Sequence, residues 1–317
     1  MELSIVVPVF NEEENVEPLI GELRSTLATM DKRYEIIAVD DGSNDGTFSV
    51  LSRLQRCDPR LSVIRFKRNF GQTAALAAGL AYASGEIVVL MDGDGQNDPA
   101  DIPALLDRLS DEKDLVVGWR FDRKDPFLSR RLPSMIANRL ISWTTNVKLH
   151  DYGCTLKAMR KDIAKGLKLY GEMHRFIPAI AYERGARVAE IKVNHRPRLR
   201  GTSKYGIART LRVILDLLTV KFLSSYSTRP AHVFGPIGIL SGGTGFLIAL
   251  YLTLQKFLYD ADIGSRPLLL LSILLIFIGF QFVTMGLLGE MLARTYHESQ
   301  DRTIYVIGEV LPGGGHT

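Results

Sequence analysis

The sequence predicts a three-layer α/β domain built on a mostly parallel sheet, followed by a helical hairpin that crosses a membrane. Short β-rich runs alternate with amphipathic helical stretches over residues 3–118, and the runs end in acid- and glycine-rich segments. Nearer the C-terminus lie two apolar stretches of 22 and 23 residues without a charge. The chain has 317 residues, with 39 Lys and Arg against 35 Asp and Glu, a formal charge of +4 and 46% apolar content. That balance excludes a disordered chain and a collagen-like repeat, and it leaves ample mass for a core. Cys57 and Cys154 stand 97 positions apart with no C-x-x-C, so both are expected as free thiols, outside any disulfide framework or zinc site.

The expected strands are Leu3–Val9, Tyr34–Asp40, Leu61–Phe66, 86–92 and 114–118. Between the first two, Val16, Leu19, Ile20, Leu23 and Leu27 fall on one helical face, behind Asn11 as a cap. Residues 46–56 and 71–83 read as further helices. In such sheets ligands bind beyond the C-terminal strand ends. Those ends read Pro8-Val9-Phe10-Asn11-Glu12, Asp40-Asp41-Gly42-Ser43-Asn44-Asp45-Gly46-Thr47 and Asp92-Gly93-Asp94-Gly95-Gln96-Asn97-Asp98-Pro99. Asn11 and Asp98 are accounted for as caps, but three such clusters on one edge imply more than capping. Gly93-x-Gly95 lacks the third glycine of a dinucleotide fingerprint, and no G-x-x-x-x-G-K-[ST] loop occurs. Calcium loops begun at Asp41 or Asp92 would end on Ser52 or Pro103 in place of Glu. What remains is Asp92, Asp94 and Gln96 at i, i+2 and i+4, oxygen donors suited to Mg²⁺ or Mn²⁺ that also holds a diphosphate.

The apolar stretches, 233–254 and 267–289, each reach about 33 Å as helices, enough for a hydrocarbon core. The short connector, 255–266, makes them an antiparallel hairpin. Gly238-x-x-x-Gly242 permits close helix approach, and Gln281 calls for a partner across the hairpin or in a second copy, so a homo-oligomer is an open expectation. Tyr251, Tyr259 and Tyr296 suit the interface. Before the first span come Arg196, Arg198, Arg200, Lys204, Arg209, Arg212, Lys221 and Arg229 against Asp216 alone, which places residues 1–230 and the tail in the cytoplasm. The N-terminus runs straight into a strand without a signal-peptide pattern. The expected organisation is a catalytic domain over 1–202, an amphipathic juxtamembrane segment over 203–230, a transmembrane hairpin over 231–294 and a cytoplasmic tail over 295–317. In the juxtamembrane segment Ile207, Leu211, Ile214, Leu215 and Leu218 share one side. It lies at an anionic interface or packs on the sheet domain with its basic face solvated. Because the basic residues adjoin a span, nucleic acid is not an expected partner.

With these residues in place, the chain resembles the polyprenyl-phosphate glycosyltransferases of glycosyltransferase family 2, which have the GT-A fold. The resemblance covers nearly the whole chain and rests on the three strand-end motifs together with Arg68-Asn69-Phe70-Gly71 and Gly201-Thr202-Ser203-Lys204-Tyr205. It implies metal-dependent, inverting transfer of a sugar from a UDP- or GDP-sugar to undecaprenyl or dolichyl phosphate. The lipid-linked monosaccharide would serve the cell envelope, and the enzyme would sit in a bacterial inner membrane with its catalytic domain facing the cytoplasm. It further implies that Pro8, Phe10, Glu12, Asp40, Asp41, Asp92 and Gly93 surround the nucleotide and that Asp92, Asp94 and Gln96 hold the metal. Arg120, Arg130, Ser134 and Lys204 would take the acceptor phosphate, and Asp94, Arg120, Arg130 and Asp151 would carry catalysis.

The chain departs from the family pattern in two places. Gly93 and Gly95 stand where the family has small residues or leucine, which is expected to loosen the metal loop while keeping every ligand. Cys154 stands where the glucosyl branch has an acid, and Asp151 either replaces that acid or serves an ordinary turn. A phosphate monoester, with its second pKa of about 6, is already an anion at neutral pH and needs no general base. Transfer to a growing polysaccharide and a non-catalytic nucleotide-sugar sensor are the alternatives. His174 and His195 lack metal-type spacing and are expected to be ordinary hydrogen-bonded residues.

Overall fold

The computed structural model describes residues 1–109, 112–121, 142, 147–169, 173–197, 231–259, 262, 267–299 and 304–314. Arg130, Ser134, Lys204 and the expected juxtamembrane helix over 203–230 lie outside the described residues. The chain divides into two compact units, 1–217 with 303–317, and 218–302.

In the first unit one eight-stranded sheet runs in the order β7-β5-β6-β4-β1-β2-β3-β8. Its strands are β1 (Leu3–Val9), β2 (Tyr34–Asp40), β3 (Leu61–Phe66), β4 (Ile87–Leu90), β5 (Leu115–Arg120), β6 (Lys157–Arg160), β7 (Val188–Val193) and β8 (Ile307–Leu311). The helices among the described residues are α1 (Glu13–Ala28), α2 (Thr47–Cys57), α3 (Gln72–Tyr82), α4 (Ile102–Arg108), α5 (Lys161–Gly166) and α6 (Ile177–Glu183). Every residue of β1 and β2 is buried, as continuous apolar runs covered on both faces must be. Leu3, Ile5, Val7 and Val9 enter a core with Val16, Leu19, Ile20 and Leu23 of α1, Leu51 of α2 and Leu105 of α4. Val6, on the opposite side of β1, meets α3 at Gly79. This two-sided cover fixes the strand register, so the polar strand ends gather on one edge.

The sheet is mixed. β1 pairs in parallel with β2 and β4, β2 with β3, and β5 with β7. β6 runs antiparallel between β4 and β5, and β8 runs antiparallel to β3. Part of the expected tail is therefore β8, a strand of the first unit's sheet. β4 ends at Leu90, which leaves Asp92 in the following loop. Asn11 sits at φ +54 in a turn, and Glu12 takes the position before α1.

The second unit contains α7 (Ala231–Tyr259) and α8 (Pro267–Ser299). Within them Phe234–Tyr259 and Pro267–Gly289 have mean hydropathies of 1.8 and 2.5, long and apolar enough to span a bilayer. The helices touch at glycine: a Cβ on Gly279 would lie 2.5 Å from the Gly242 nitrogen and 2.6 Å from the Gly238 oxygen. The G-x-x-x-G pattern thus works inside the hairpin. Nearby, the Ser241 hydroxyl donates to the Leu275 carbonyl at 3.1 Å. Gln281 is exposed and forms no hydrogen bond across the hairpin among the described residues.

Candidate active site

The loops after β1 and β2 are tied to each other. The Asn11 amide donates to Ser43 Oγ, the Asn44 amide to Asn11 Oδ1 and the Glu12 amide to Thr47 Oγ1, all at 2.9 Å. Asp40 is fully buried and accepts from the Ser43 amide at 2.9 Å, with Arg65 Nε 3.6 Å from its other oxygen. Burial raises its pKa, and the bonds from Ser43 oppose the rise. Asp41 accepts from the Phe70 amide at 2.7 Å and from the Gly71 amide and Asn69 Nδ2 at 2.9 Å. It clamps the Arg68–Gly71 turn at the start of α3. Here too burial raises the pKa against those amide bonds. Pro8, Phe10, Glu12, Asp40 and Asp41 thus share one rim, with the Asp41 carboxylate committed to holding the wall.

Asp92 and Asp94 lie on the next loop. Gln72 Nε2 donates to Asp92 Oδ1 at 2.6 Å, and the Thr155 hydroxyl also bonds this carboxylate. Burial and the neighbouring Asp94 carboxylate push the Asp92 pKa up to about 6. The Gln96 amide donates to Asp94 Oδ1 at 3.1 Å, and Asp98 caps the Ala100 amide as expected. A Cβ on Gly93 would stand 2.5 Å from Val9 Cγ1 and 2.8 Å from the Pro8 oxygen, while Gly95 has φ +72. These glycines do not loosen the loop. Gly93 lets it lie against the end of β1, and Gly95 makes a turn that other residues resist. The chain after β7 closes the far side: Arg196 N donates to the Gln96 oxygen at 2.9 Å, and Arg196 and Asn194 bond Asp98.

A buried carboxylate whose ionisation is made costlier by a neighbouring one, as Asp92 is by Asp94, seeks a cation. Among the described residues no third His, Cys, Asp or Glu completes a cluster with them. The oxygen donors of Asp92 and Asp94 are of the kind that suits Mg²⁺ or Mn²⁺, which keep coordination positions for substrate phosphates.

Arg120 ends β5, and its guanidinium forks onto Asp151 at 2.7 Å (Nε to Oδ2) and 2.9 Å (Nη2 to Oδ1). Asp151 is 2% exposed and also accepts from the Gly153 amide at 3.0 Å. The paired carboxylate keeps Arg120 protonated despite its burial. No motif in the sequence singles out Lys157, yet it is 2% exposed and donates from Nζ to the Cys154 carbonyl. Its register opposite Leu90 and Val117 sets it between the strand ends that lead to Asp92 and Arg120. Burial lowers its pKa, while Cys154, Asp92 and Asp151 favour the charged form. The Cys154 thiol is buried and pushed up to about 11, and both cysteines are free. Gln72 and Thr155 were likewise unforeseen. The available signal was a lysine inside the β-rich run Thr155-Leu156-Lys157-Ala158-Met159, since a buried lysine needs a polar partner. His174 is hydrogen-bonded through Nδ1 to Thr73 Oγ1 at 2.8 Å.

A mixed sheet whose parallel strands end at an acidic loop, with an antiparallel strand let in beside β4, is the architecture of a GT-A-like glycosyltransferase. The chain belongs to glycosyl transferase family 2, whose model matches residues 4–167. It is 46% identical to a dodecaprenyl-phosphate galacturonate synthase of Rhizobium johnstonii, over 98% of this chain and 93% of that protein. It is 36% identical to an undecaprenyl-phosphate 4-deoxy-4-formamido-L-arabinose transferase of Shewanella sediminis, over 98% of this chain and 93% of that protein. Among solved structures it shares the fold of glucosyl-3-phosphoglycerate synthase from Mycobacterium tuberculosis in complex with Mn²⁺ and uridine-diphosphate-glucose. There the TM-score is 0.54 and the identity 20%, over 69% of this chain and 78% of that one.

Proposed function

We propose that the chain transfers a sugar from a UDP- or GDP-sugar to the phosphate of a membrane polyprenyl phosphate, inverting the anomeric centre and yielding a lipid-linked monosaccharide. The observation that carries this reading is the Arg120–Asp151 fork. A hydroxyl acceptor requires a base, but Asp151 is bound to Arg120 and the Cys154 thiol is too basic to ionise near neutrality. A phosphate acceptor is already anionic and needs cations instead, which Arg120 and Lys157 supply. This arrangement disfavours transfer to a glycan hydroxyl.

The residues divide the work as follows. The rim of Pro8, Phe10 and Glu12 receives the base and ribose, fully buried Asp40 braces it through Ser43, and Asp41 keeps the Arg68–Gly71 wall in place. Asp92 and Asp94, with Gln96, would hold a divalent cation, which supplies charge neutralisation for the departing diphosphate. Arg120, fixed in direction by Asp151, meets the acceptor phosphate, as would Arg130, Ser134 and Lys204. Proximity of the two anionic phosphates is the main barrier, and a preorganised cationic pocket lowers it. The apolar hairpin holds the enzyme in the bilayer where its acceptor resides. The basic flank before it argues for a cytoplasmic catalytic unit in a bacterial inner membrane. Outward-facing Gln281 provides a point for self-association.

The test is an assay with purified protein, undecaprenyl phosphate, Mg²⁺ or Mn²⁺, and a panel of UDP- and GDP-sugars that includes a galacturonate and a 4-formamido-arabinose donor. A lipid-linked product is expected with one donor class. Absence of product with every donor favours a sensor, and product only on a free glycan overturns the acceptor assignment. Asp94→Ala should abolish turnover and metal-dependent donor binding, measured by calorimetry; retained turnover removes the cation site.

A further inference from the structure

β8 is an integral part of the sheet. It pairs Val63 with Leu311, Ile64 with Val310 and Arg65 with Glu309. Beyond it the Gly313 amide donates to Ser62 Oγ at 2.9 Å and Gln55 Nε2 to the Pro312 oxygen at 2.9 Å. Before it the Lys67 amide donates to the Val306 oxygen at 3.1 Å. The segment is thus fixed along the whole of β3, and at its start it delivers Tyr305, which is 9% exposed. The Tyr305 ring stacks on Phe66, with centroids 5.1 Å apart and planes at 12°. Phe66 meets Phe70 edge-on at 5.7 Å, and Arg68 lies over the Phe70 ring at 4.6 Å. Phe70 and its neighbours Asn69 and Gly71 supply all three hydrogen bonds that clamp Asp41.

We propose that Tyr305 is a positioning residue of the donor pocket, acting through Phe66 and Phe70 on the turn that holds Asp41. The inference rests on the reading of the Asp40–Asp41 rim as the nucleotide site. Offset and edge-on aromatic pairs have preferred geometries, so three rings in series transmit a fixed orientation to Phe70. The chain that leaves α8 at Ser299 therefore contributes to a pocket formed by residues more than two hundred positions earlier. Loss of the first ring frees Phe70 to rotate and lets the Asn69–Gly71 amides drift from Asp41.

The experiment uses the full-length protein in detergent, with UDP and GDP as binding probes in calorimetry and steady-state kinetics on the donor found by the assay above. Tyr305→Ala should weaken nucleotide binding and raise the donor KM by about three- to ten-fold, with kcat and the lipid KM within about two-fold of wild type. Tyr305→Phe keeps the stack and should restore wild-type donor affinity. Leu311→Ala, at the far end of β8 and packed on the core, should lower the melting midpoint without moving the donor KM. If Tyr305→Ala does not accumulate, Tyr305→Leu fills the space without a ring and is held to the same outcomes. The proposal is overturned if Tyr305→Ala only lowers the melting midpoint as Leu311→Ala does, or if it raises donor and lipid KM together. Asp41→Asn separates the two claims. If it leaves nucleotide affinity unchanged, the donor rim is misassigned and the proposal falls with it. If it weakens nucleotide binding while Tyr305→Ala does not, the positioning role alone is lost.

Discussion

Arg120 and Asp151 act as one unit. The carboxylate offers both oxygens to the guanidinium, and the Gly153 amide and the bond from Asp151 N to Glu190 hold it from behind. Removing one member of a buried pair leaves the other charge stranded, at a cost of about 3–5 kcal/mol. Asp151→Asn and Arg120→Ala should each lower kcat/KM for the lipid by about 10²-fold, because each destroys the same oriented cation. The double variant should be no worse than either single one. If Asp151 were instead a base, its loss would flatten the acid limb of the pH–rate profile, and the two losses would multiply. A double-mutant cycle on kcat/KM with pH profiles decides between them.

The ends of elements are tied by charge in the same way. Asp114 precedes β5 and Arg187 precedes β7, and a two-pronged bond of 2.9 and 3.0 Å joins them where the parallel pair begins. The Arg187 bonds hold the Asp114 pKa down at about 2. A carboxylate depressed in the folded state stabilises above its unfolded value of about 3.9, and that contribution fades as pH falls toward the folded value. Arg187→Ala should therefore lower the melting midpoint equally from pH 7 to about pH 5, and the gap to wild type should close between about pH 4 and pH 2. A gap that persists undiminished at the acid end would assign the effect to packing of the arginine stem.

The elements also differ in how plainly the sequence announces them. β1, β2 and β3 are apolar runs buried on both faces, and α1 has a clean apolar stripe, so their patterns are set by burial alone. β6 has four residues and carries Lys157 and Arg160, and β8 is short with Gly308 and Glu309 in its middle. Both exist because a partner strand offers hydrogen bonds, which is tertiary information. The same division holds in the site. The spacing of Asp92 and Asp94 is local and legible, whereas Gln72 on Asp92 and the burial of Lys157 depend on strand order. Gly93 and Gly95 are visible in the sequence, but their role is not, because the need for a bare Cα at 93 comes from Pro8 and Val9 on another strand.

At the scale of the whole molecule, β8 constrains membrane topology. The chain enters the second unit after the first unit's sheet and returns to that sheet as β8, so a membrane-crossing hairpin of the kind proposed above would have both its ends on one side of the bilayer. Only an even number of crossings satisfies this, and the two candidate spans among the described residues, in α7 and α8, meet it. The cytoplasmic side proposed above rests on the basic residues that crowd the flank before α7. The native cysteines provide the probe. Cys57 is exposed and so open to a thiol reagent, whereas Cys154 is buried with its thiol pushed up to about 11, so it stays silent. In intact spheroplasts a membrane-impermeant maleimide should label Asp262→Cys, in the connector between the helices, and should leave Cys57 untouched until the membrane is opened. A cysteine placed at exposed Glu309 in a Cys57→Ser background should behave as Cys57 does, because it shares the sheet. Labelling of Cys57 from outside would invert the orientation while keeping the hairpin. Labelling of Glu309→Cys and Cys57 from opposite sides would mean that β8 does not pair with β3 in the membrane-bound enzyme, and the route from Tyr305 to the donor rim would be lost with it.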